Sequence, residues 1–307
     1  MLVVQILSYV CVALFLTMVT AKVVKYATTP IHLRWELYPV AHEKGRSEYG
    51  GSIFEELDWW TKPREVDRLN EYKEMFLEIA FLKGVWKHNP RLWVFSFPFH
   101  FGLYLIIAWL GLALLLSILF AAGVTFSAGF GKFVQVVVAV LGYSGLILTV
   151  LGALGLLYRR MANADIRRYS APIEYINLGF ILLVTGVALG VHLAIDPWLH
   201  GPIAYLVSLV TFSQAGAFPA AMQVEFILGS LLLAYIPLTR MAHFIAKYFL
   251  YHDVRWSDDP NPRGSKIEGK LKQTFGYPLH WQGPHIQTGK SWAEVGTRFE
   301  EVKEEKK

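Results

Sequence analysis

Five runs of mostly apolar residues dominate this 307-residue chain, and each run is long enough to cross a bilayer. A membrane helix needs about 20 such residues, because the hydrocarbon offers no water to satisfy backbone polar groups. The runs lie at Leu2–Val24, Leu92–Ala121, Phe133–Tyr158, Ile173–Ile195 and Ala220–Phe249. The sequence therefore predicts an all-α, polytopic membrane protein built on a five-transmembrane-helix bundle.

Composition agrees with this class and excludes several functions. Hydrophobic residues make up 54% of the chain and charged residues 17%. The net charge of +5 comes from Lys and Arg that flank the apolar runs, so no nucleic-acid partner is expected. Cys11 is the only cysteine, which excludes a disulfide framework, a Cys-rich zinc site and an iron–sulfur cluster held by this chain alone. Any redox cofactor must be held without sulfur.

Basic residues predict the orientation. The connection between spans three and four carries Arg159, Arg160, Arg167 and Arg168. The two opposite loops are poor in basic residues, since Ala122–Lys132 has one lysine and Asp196–Pro219 has none. Positive loops stay in the cytoplasm. We therefore expect a multi-pass protein of the cytoplasmic (inner) membrane, with its N-terminus outside and its C-terminus in the cytoplasm.

The chain divides into four predicted segments. Residues 1–25 form the first transmembrane helix, 26–91 a cytoplasmic loop, 92–249 the four-helix core and 250–307 a cytoplasmic tail. Within the loop, Val66, Leu69, Tyr72, Phe76, Ile79 and Leu82 recur at three-to-four spacing and predict an amphipathic helix, which lies on the membrane surface or packs on a partner. The tail is polar but carries three tryptophans, so it is disordered or is ordered by binding a partner protein.

Two histidines are candidate cofactor ligands. His100 and His243 stand at the ends of two apolar runs that cross the membrane in opposite directions, so both are expected at the same depth. Ligating side chains in a membrane often mark a functional site, and a bis-histidine haem would fit between them. The alternative is two unrelated interfacial histidines. His192 and His200, at the outer end of span four, are interpreted as ordinary interfacial residues.

The motifs around these histidines resemble a known family. Phe99-His100-Phe101-Gly102 opens span two, and Pro237-Leu238-Thr239-Arg240-Met241-Ala242-His243 closes span five. Both are similar to the gamma-subunit family of respiratory nitrate reductase, dihaem membrane cytochromes b that pass electrons between quinones and an iron–sulfur partner. The loop from Pro30 to His42, followed by Gly50-Gly51 and Trp59-Trp60, more closely resembles the Dsr and Tmc membrane complexes of sulfate-respiring microbes. There the partner is a heterodisulfide-reductase-like iron–sulfur protein.

The resemblance implies one haem instead of two. The family has two ligand histidines ten residues apart on span two and two that are eighteen apart on span five. His100 and His243 match one ligand pair, whereas Leu110 and Glu225 stand at the other two positions. The expectation is a single haem b near the cytoplasmic face. Arg240, one turn before His243, is expected to pair with a haem propionate or to serve as a positive-inside anchor.

Loss of the outer haem also moves the expected quinone site. Without the outer haem, electrons from a quinol on the outer side would have no intermediate carrier across the bilayer. The site for menaquinone or another quinone is therefore expected on the cytoplasmic side. Its candidate residues are His32, Arg34, Glu36 and Trp93, because quinone chemistry needs a proton carrier and hydrogen-bond donors beside a flat apolar slot. Glu225 is either a proton-relay carboxylate or a structural residue bonded to a neighbouring helix.

Two functions are compatible with the sequence. The first is a membrane cytochrome b subunit that transfers electrons between a quinone and a cytoplasmic, heterodisulfide-reductase-like iron–sulfur subunit. Further membrane or multihaem cytochrome subunits are possible additional partners of this complex. The second is a haem-free anchor or scaffold subunit of the same kind of complex.

Overall fold

The computed structural model of the chain describes residues 1–29, 40–43, 45–46, 48–284 and 286–297. All regular elements within these residues are helical, which confirms the predicted all-α class. The α-helices are α1 (Leu2–Thr28), α2 (Arg68–Ala80), α3 (Lys83–His88), α4 (Pro90–Ala121), α5 (Ala128–Ala162), α6 (Ala164–Tyr169), α7 (Pro172–Ala194), α8 (His200–Val210), α9 (Ala220–Tyr235), α10 (His243–Phe249), α11 (Lys266–Phe275) and α12 (Trp292–Gly296).

Five helices are long and apolar enough to cross a membrane, as predicted: α1, α4, α5, α7 and α9 with the short 3-10 turn that extends it to Leu238. Local signals set their starts. The Asn89 side chain accepts a hydrogen bond from Leu92 N at 3.1 Å and caps α4, while Pro90 and Pro172 occupy the first positions of α4 and α7, where a missing N–H costs nothing. The chain is a multi-pass membrane protein.

The chain forms two compact units, described separately here. The first comprises Met1–Thr20 and Glu71–Ala242, and thus most of the membrane-spanning residues. The second comprises Ala21–Asn70 and His243–Lys307. The predicted loop and tail, which are far apart in sequence, therefore contribute to the same compact unit.

Small residues join α4 to α5 in the first unit. Gly102 lies against the backbone of Thr149, a side chain at Gly145 would meet Ile106 N and Gly102 O near 3 Å, and one at Gly152 would overlap the backbone of Phe99. Such residues let helix backbones approach closely, which is the main source of helix association in lipid. The glycine run of α5 thus serves packing, as its apolar setting predicts.

Span five is interrupted where the sequence predicts a continuous helix from Ala220 to Phe249. The helix α9 ends at Tyr235, a 3-10 turn covers Ile236–Leu238, and Thr239 is extended. Pro237 has no N–H to donate and its ring opposes a helical hydrogen bond. The Thr239 hydroxyl then accepts Met241 N at 3.2 Å and restarts the helical backbone. The predicted bounds of span five were therefore wrong at their C-terminal end.

The predicted outer loop Asp196–Pro219 contains an additional helix, α8. Leu199 is 1% exposed and lies in a cluster with residues of α4 and α5, and the Ser117 hydroxyl of α4 donates to Ile203 O at 3.2 Å. The segment after α8 is bound to α1, since Gln5 Nε2 donates to Ser213 O at 2.8 Å. This connection is too short to span a bilayer. It packs alongside α4 and α5 in the first unit.

In the second unit, an ion-pair cluster joins the loop to the tail. Asp258 accepts from His42 Nε2 at 2.8 Å and from Arg64 Nη1 at 2.7 Å, and Arg64 Nη2 reaches Asp259 at 3.0 Å. Trp256 is buried, with its ring 4.7 Å from that of Tyr251. The start of the tail is therefore ordered by the chain's own loop, an arrangement that the sequence interpretation did not include.

We expect Asp258→Asn to destabilise the second unit by about 2 kcal/mol at neutral pH, because charged hydrogen bonds are lost. Burial alone would raise the pKa of Asp258, but His42 and Arg64 outweigh it and hold that pKa below its usual value. This stabilisation is present above the unfolded pKa of about 4 and is lost as the pH falls below it. Hydrogen exchange of the loop and tail, measured from pH 7 to acid, would show protection that falls in the wild type and is lower from the start in the variant.

The matched control is Asp259→Asn. Asp259 is 65% exposed and contacts the same guanidinium, so its loss is expected to change little. Equal effects of the two substitutions would contradict the role given to Asp258.

Candidate functional site

His100 is partly buried on α4, and its ring is held by the preceding turn. Its Nδ1 lies 2.7 Å from the carbonyl oxygen of Ser96, with the Ser96 hydroxyl at 3.3 Å. A carbonyl can only accept, so Nδ1 carries the proton and Nε2 carries the lone pair. A metal-ligating histidine usually has its second nitrogen fixed in this way, which sets the tautomer and the ring orientation. This hydrogen bond fixes the ring of His100 against α4, and Nε2 is the ring nitrogen that would take a ligand role.

His243 belongs to the second unit and begins α10 instead of ending a membrane span. Its side chain is exposed. Arg240 is also exposed and lies in a 3-10 turn, Arg240–Ala242, that follows the extended Thr239. Between α9 and His243 the backbone therefore passes through two 3-10 turns and the extended Thr239.

The two remaining ligand positions are unsuited to a haem. Leu110 has no ligating atom, and 42% of its surface is exposed. Glu225 on α9 is bonded to His192 on α7, with Glu225 Oε1 and His192 Nε2 2.9 Å apart. A bis-histidine haem needs an imidazole at each ligand position. Glu225 has a carboxyl group instead, and that group is bonded to His192. Of the four positions implied by the resemblance, two carry histidine and two do not.

His192 and Glu225 form a largely buried polar pair in the first unit. His192 is 1% exposed, so the interpretation of this residue as interfacial was wrong. Its Nδ1 lies 3.6 Å from Asp196 Oδ2, and Asp196 itself accepts the backbone N–H groups of His200 and Gly201 at the start of α8. Within the described ranges, neither His192 Nδ1 nor Glu225 Oε2 has a hydrogen-bond partner. Among the described residues, no group of three His, Cys, Asp or Glu side chains is arranged to hold a metal ion.

Of the four candidate quinone residues, only Trp93 is among the described residues. His32, Arg34 and Glu36 lie outside the described residues. Trp93 lies on α4, where its Nε1 donates to Phe81 O at 2.8 Å, and its ring stacks on Phe97 with centroids 4.6 Å apart. Phe97 in turn stacks on Phe101. The hydrogen-bond donor of Trp93 is therefore engaged, and what this residue offers is a flat aromatic surface.

His200 has a different environment from that of His192. Its Nε2 lies 2.8 Å from Gln135 Nε2, at a cavity of about 490 Å³ between α4, α5 and α8. The lining is mostly apolar and includes Phe120, Phe126 and Trp198. This cavity is a second place in the first unit where a flat apolar ligand could meet polar groups.

Comparison with known families decides the relationship. The model of the family described as nitrate reductase gamma subunit matches residues 87–256, more than half of the chain. The chain belongs to this family. The nitrate reductase gamma subunit family consists of membrane cytochrome b subunits of respiratory redox complexes. A search of curated proteins gives no significant match.

The family match confirms the resemblance at the level of the family. It includes His100, Arg240 and His243, together with the two positions occupied by Leu110 and Glu225. It leaves out residues 1–86 and 257–307, and with them the loop motifs from Pro30 to Trp60. Those motifs therefore remain the sole basis for the closer relationship to the Dsr and Tmc complexes.

Two features of the site were missed by sequence reasoning. Ser96 stands four residues before His100, and a carbonyl at that spacing is a common partner of a helical histidine, but nothing in a sequence shows which way the ring turns. His192 was missed because it lies 33 residues from Glu225 on another helix. The available signal was Glu225 itself, since a carboxyl group inside a membrane needs a partner.

Proposed function

We propose that the chain is a monohaem cytochrome b subunit that transfers electrons between a membrane quinone and a cytoplasmic iron–sulfur subunit. His100 and His243 would hold one haem b. The observation that carries the proposal is the hydrogen bond from His100 Nδ1 to the Ser96 carbonyl, which presents Nε2 as a ligand within the region that matches the family. His243 is the partner ligand implied by the family motif.

A bis-histidine haem supplies one-electron transfer and has no open iron position for substrate. The residues of the chain would bind and orient it. The Ser96 carbonyl fixes the tautomer of His100 and makes its Nε2 a better donor to iron. Arg240, three residues before His243, would place its guanidinium near a haem propionate.

The proposal is limited to one haem, with its site near the cytoplasmic face. The exposed Leu110 and the bonded Glu225 support this number. Glu225 serves either as a proton-relay group, as its unpartnered oxygen would permit, or as a structural partner of His192. The variants of Glu225 considered in the Discussion test the second role.

The quinone, menaquinone or a similar compound, is proposed to bind on the cytoplasmic side. His32 or Glu36 would exchange the protons, Arg34 would donate a hydrogen bond, and the Trp93 ring would contact the quinone plane. The stacked rings of Trp93 and Phe97 on the helix that carries His100 support this placement. The cavity beside His200 is the competing location.

The partner is proposed to be a heterodisulfide-reductase-like iron–sulfur protein, as in the Dsr and Tmc complexes, bound to the loop and tail in the cytoplasm. Several large apolar side chains in the second unit are more than 40% exposed: Leu57, Trp60, Trp281 and Trp292. Exposed aromatic residues of this kind are enriched where protein interfaces form. They support a partner-binding surface.

Haem stoichiometry tests the proposed function directly. The purified full-length protein is expected to contain about one haem b per chain by the pyridine haemochrome assay, with the spectrum of a low-spin, bis-histidine iron. No bound haem would establish the alternative, a haem-free anchor subunit. Two haems would contradict the assignment of Leu110 and Glu225.

A second experiment tests the quinone site. The rate of haem reduction by a menaquinol analogue is expected to fall by roughly tenfold in Arg34→Ala, since the variant loses a charged hydrogen bond to the quinone. His200→Ala is the matched control at the competing cavity and should leave the rate unchanged. An unchanged rate in Arg34→Ala together with a slow His200→Ala would move the quinone to that cavity.

A further inference from the structure

Helix α2 presents an apolar face that the described part of the chain leaves exposed. Four residues at spacings of three and four share this face, and each is at least 40% exposed: Leu69 (83%), Tyr72 (65%), Phe76 (60%) and Ile79 (40%). Lys73 and Arg68, which are also exposed, flank the face on its two sides. A helix with an apolar exposed face and basic residues along its borders has the charge pattern of an interfacial membrane helix.

The acidic residues of α2 lie on the opposite side and have partners. Glu71 is buried, Glu74 pairs with Lys83, and Glu78 accepts the backbone N–H of Gly84 at 2.7 Å. The negative charges are thus directed away from the apolar face, where they would repel anionic headgroups. The polar side of α2 thus contacts other described residues, whereas its apolar side is exposed.

Two hydrogen bonds attach the C-terminal end of α2 to a membrane span. The Tyr104 hydroxyl of α4 donates to Ile79 O at 2.8 Å, and Trp93 of α4 donates to Phe81 O at 2.8 Å. Phe81 also stacks on Phe97 of α4. Side chains on a helix lean toward its N-terminus, so these contacts lie along the first half of α4. The apolar face of α2 therefore continues the surface that α4 presents to lipid.

The length of α4 sets the depth of this attachment. Its 32 residues extend about 48 Å, against about 30 Å of hydrocarbon, so several turns lie outside the bilayer core. The first turns carry Arg91 and Trp93, residue types that favour the membrane interface. The Trp93 contact therefore places the end of α2 beside the first turns of this span.

We propose that the Leu69, Tyr72, Phe76 and Ile79 face of α2 binds the lipid surface and lies in the headgroup layer beside α4. The partner is the bilayer itself. The apolar side chains reach the acyl boundary, while Lys73 and Arg68 extend to phosphate groups on either side. This face is distinct from the haem and quinone assignments and does not depend on them.

The test places a fluorophore on each side of α2 in the full-length protein. Cys11 is buried and is the single cysteine, so a Cys11→Ser background permits labelling at one introduced site. Phe76→Cys carries an environment-sensitive probe on the proposed lipid face, and Glu74→Cys is its matched control on the opposite side. The proteins are reconstituted in phosphatidylcholine vesicles that contain phosphatidylglycerol, with or without acyl-brominated lipid.

Brominated lipid is expected to remove about half or more of the Phe76-site emission, because such helices lie roughly 5–10 Å inside the headgroup boundary. The Glu74 site should lose little and should be quenched by aqueous iodide instead. A Phe76-site probe that iodide quenches and brominated lipid does not would overturn the proposal and leave this face for a protein partner. Equal bromine quenching at both sites would overturn it too. Tyr72→Cys repeats the measurement should Phe76→Cys fold poorly.

Discussion

Replacing His100 by alanine is expected to lower the haem content of the purified protein by at least about tenfold and to abolish its low-spin spectrum. Loss of a hydrogen bond behind a metal ligand already costs roughly 10–100-fold in affinity, so loss of the ligand itself costs more. His243→Ala is expected to have the same effect. The measurements are the pyridine haemochrome assay and the visible spectrum of the reduced protein.

His88→Ala is the matched control, since His88 is an exposed histidine at the end of α3. Its haem content should equal that of the wild type. Added imidazole should restore the low-spin spectrum to His100→Gly, which a purely structural role of His100 would not predict. A His100→Ala protein with normal haem content and spectrum would remove His100 from the ligand set.

Truncating Glu225 in Glu225→Ala is expected to destabilise the first unit by about 3 kcal/mol, because His192 is left buried without its hydrogen-bond partner. Glu225→Gln should cost only about 1 kcal/mol, since its amide oxygen can still accept from His192. Unfolding can be followed with a thiol-reactive dye, because Cys11 is 4% exposed and becomes accessible when α1 separates from the bundle.

The double variant Glu225→Met, His192→Phe provides the sharper test. Replacing both members of a buried polar pair by apolar groups is often neutral, so its stability should return close to that of the wild type. Asp196 would still have hydrogen-bond partners, because it keeps the bonds from the backbone N–H groups of His200 and Gly201. Additive losses in the double variant would show that His192 and Glu225 do not act as a pair.

The spans could be predicted from the sequence because hydrophobic runs of that length have one stable arrangement in a bilayer. Four of the five predicted spans overlap their helices with small shifts at the ends. The break at Thr239 was missed although Pro237 signals it, because an apolar run continues past that proline. Helix α8 was missed because it is too short to span.

The candidate site was less predictable because it depends on contacts between distant residues. The sequence identifies His100 by its motif. The carbonyl of Ser96 that fixes its ring is a backbone group, which every residue type has, so the sequence does not indicate this contact. The pairing of Glu225 with His192 depends on how α7 and α9 are rotated against each other, and apolar faces on nearly uniform membrane helices specify that rotation weakly.

The α8 segment has a consequence for energy conservation. Leu199 and Ser117 fix it beside α4 and α5, in the part of the first unit that faces outward on the proposed orientation. With the quinone on the cytoplasmic side, its electrons and its protons would enter and leave by the same face. Electron transfer through this subunit would then be electroneutral, and any contribution to the proton motive force would have to come from the subunits that join it.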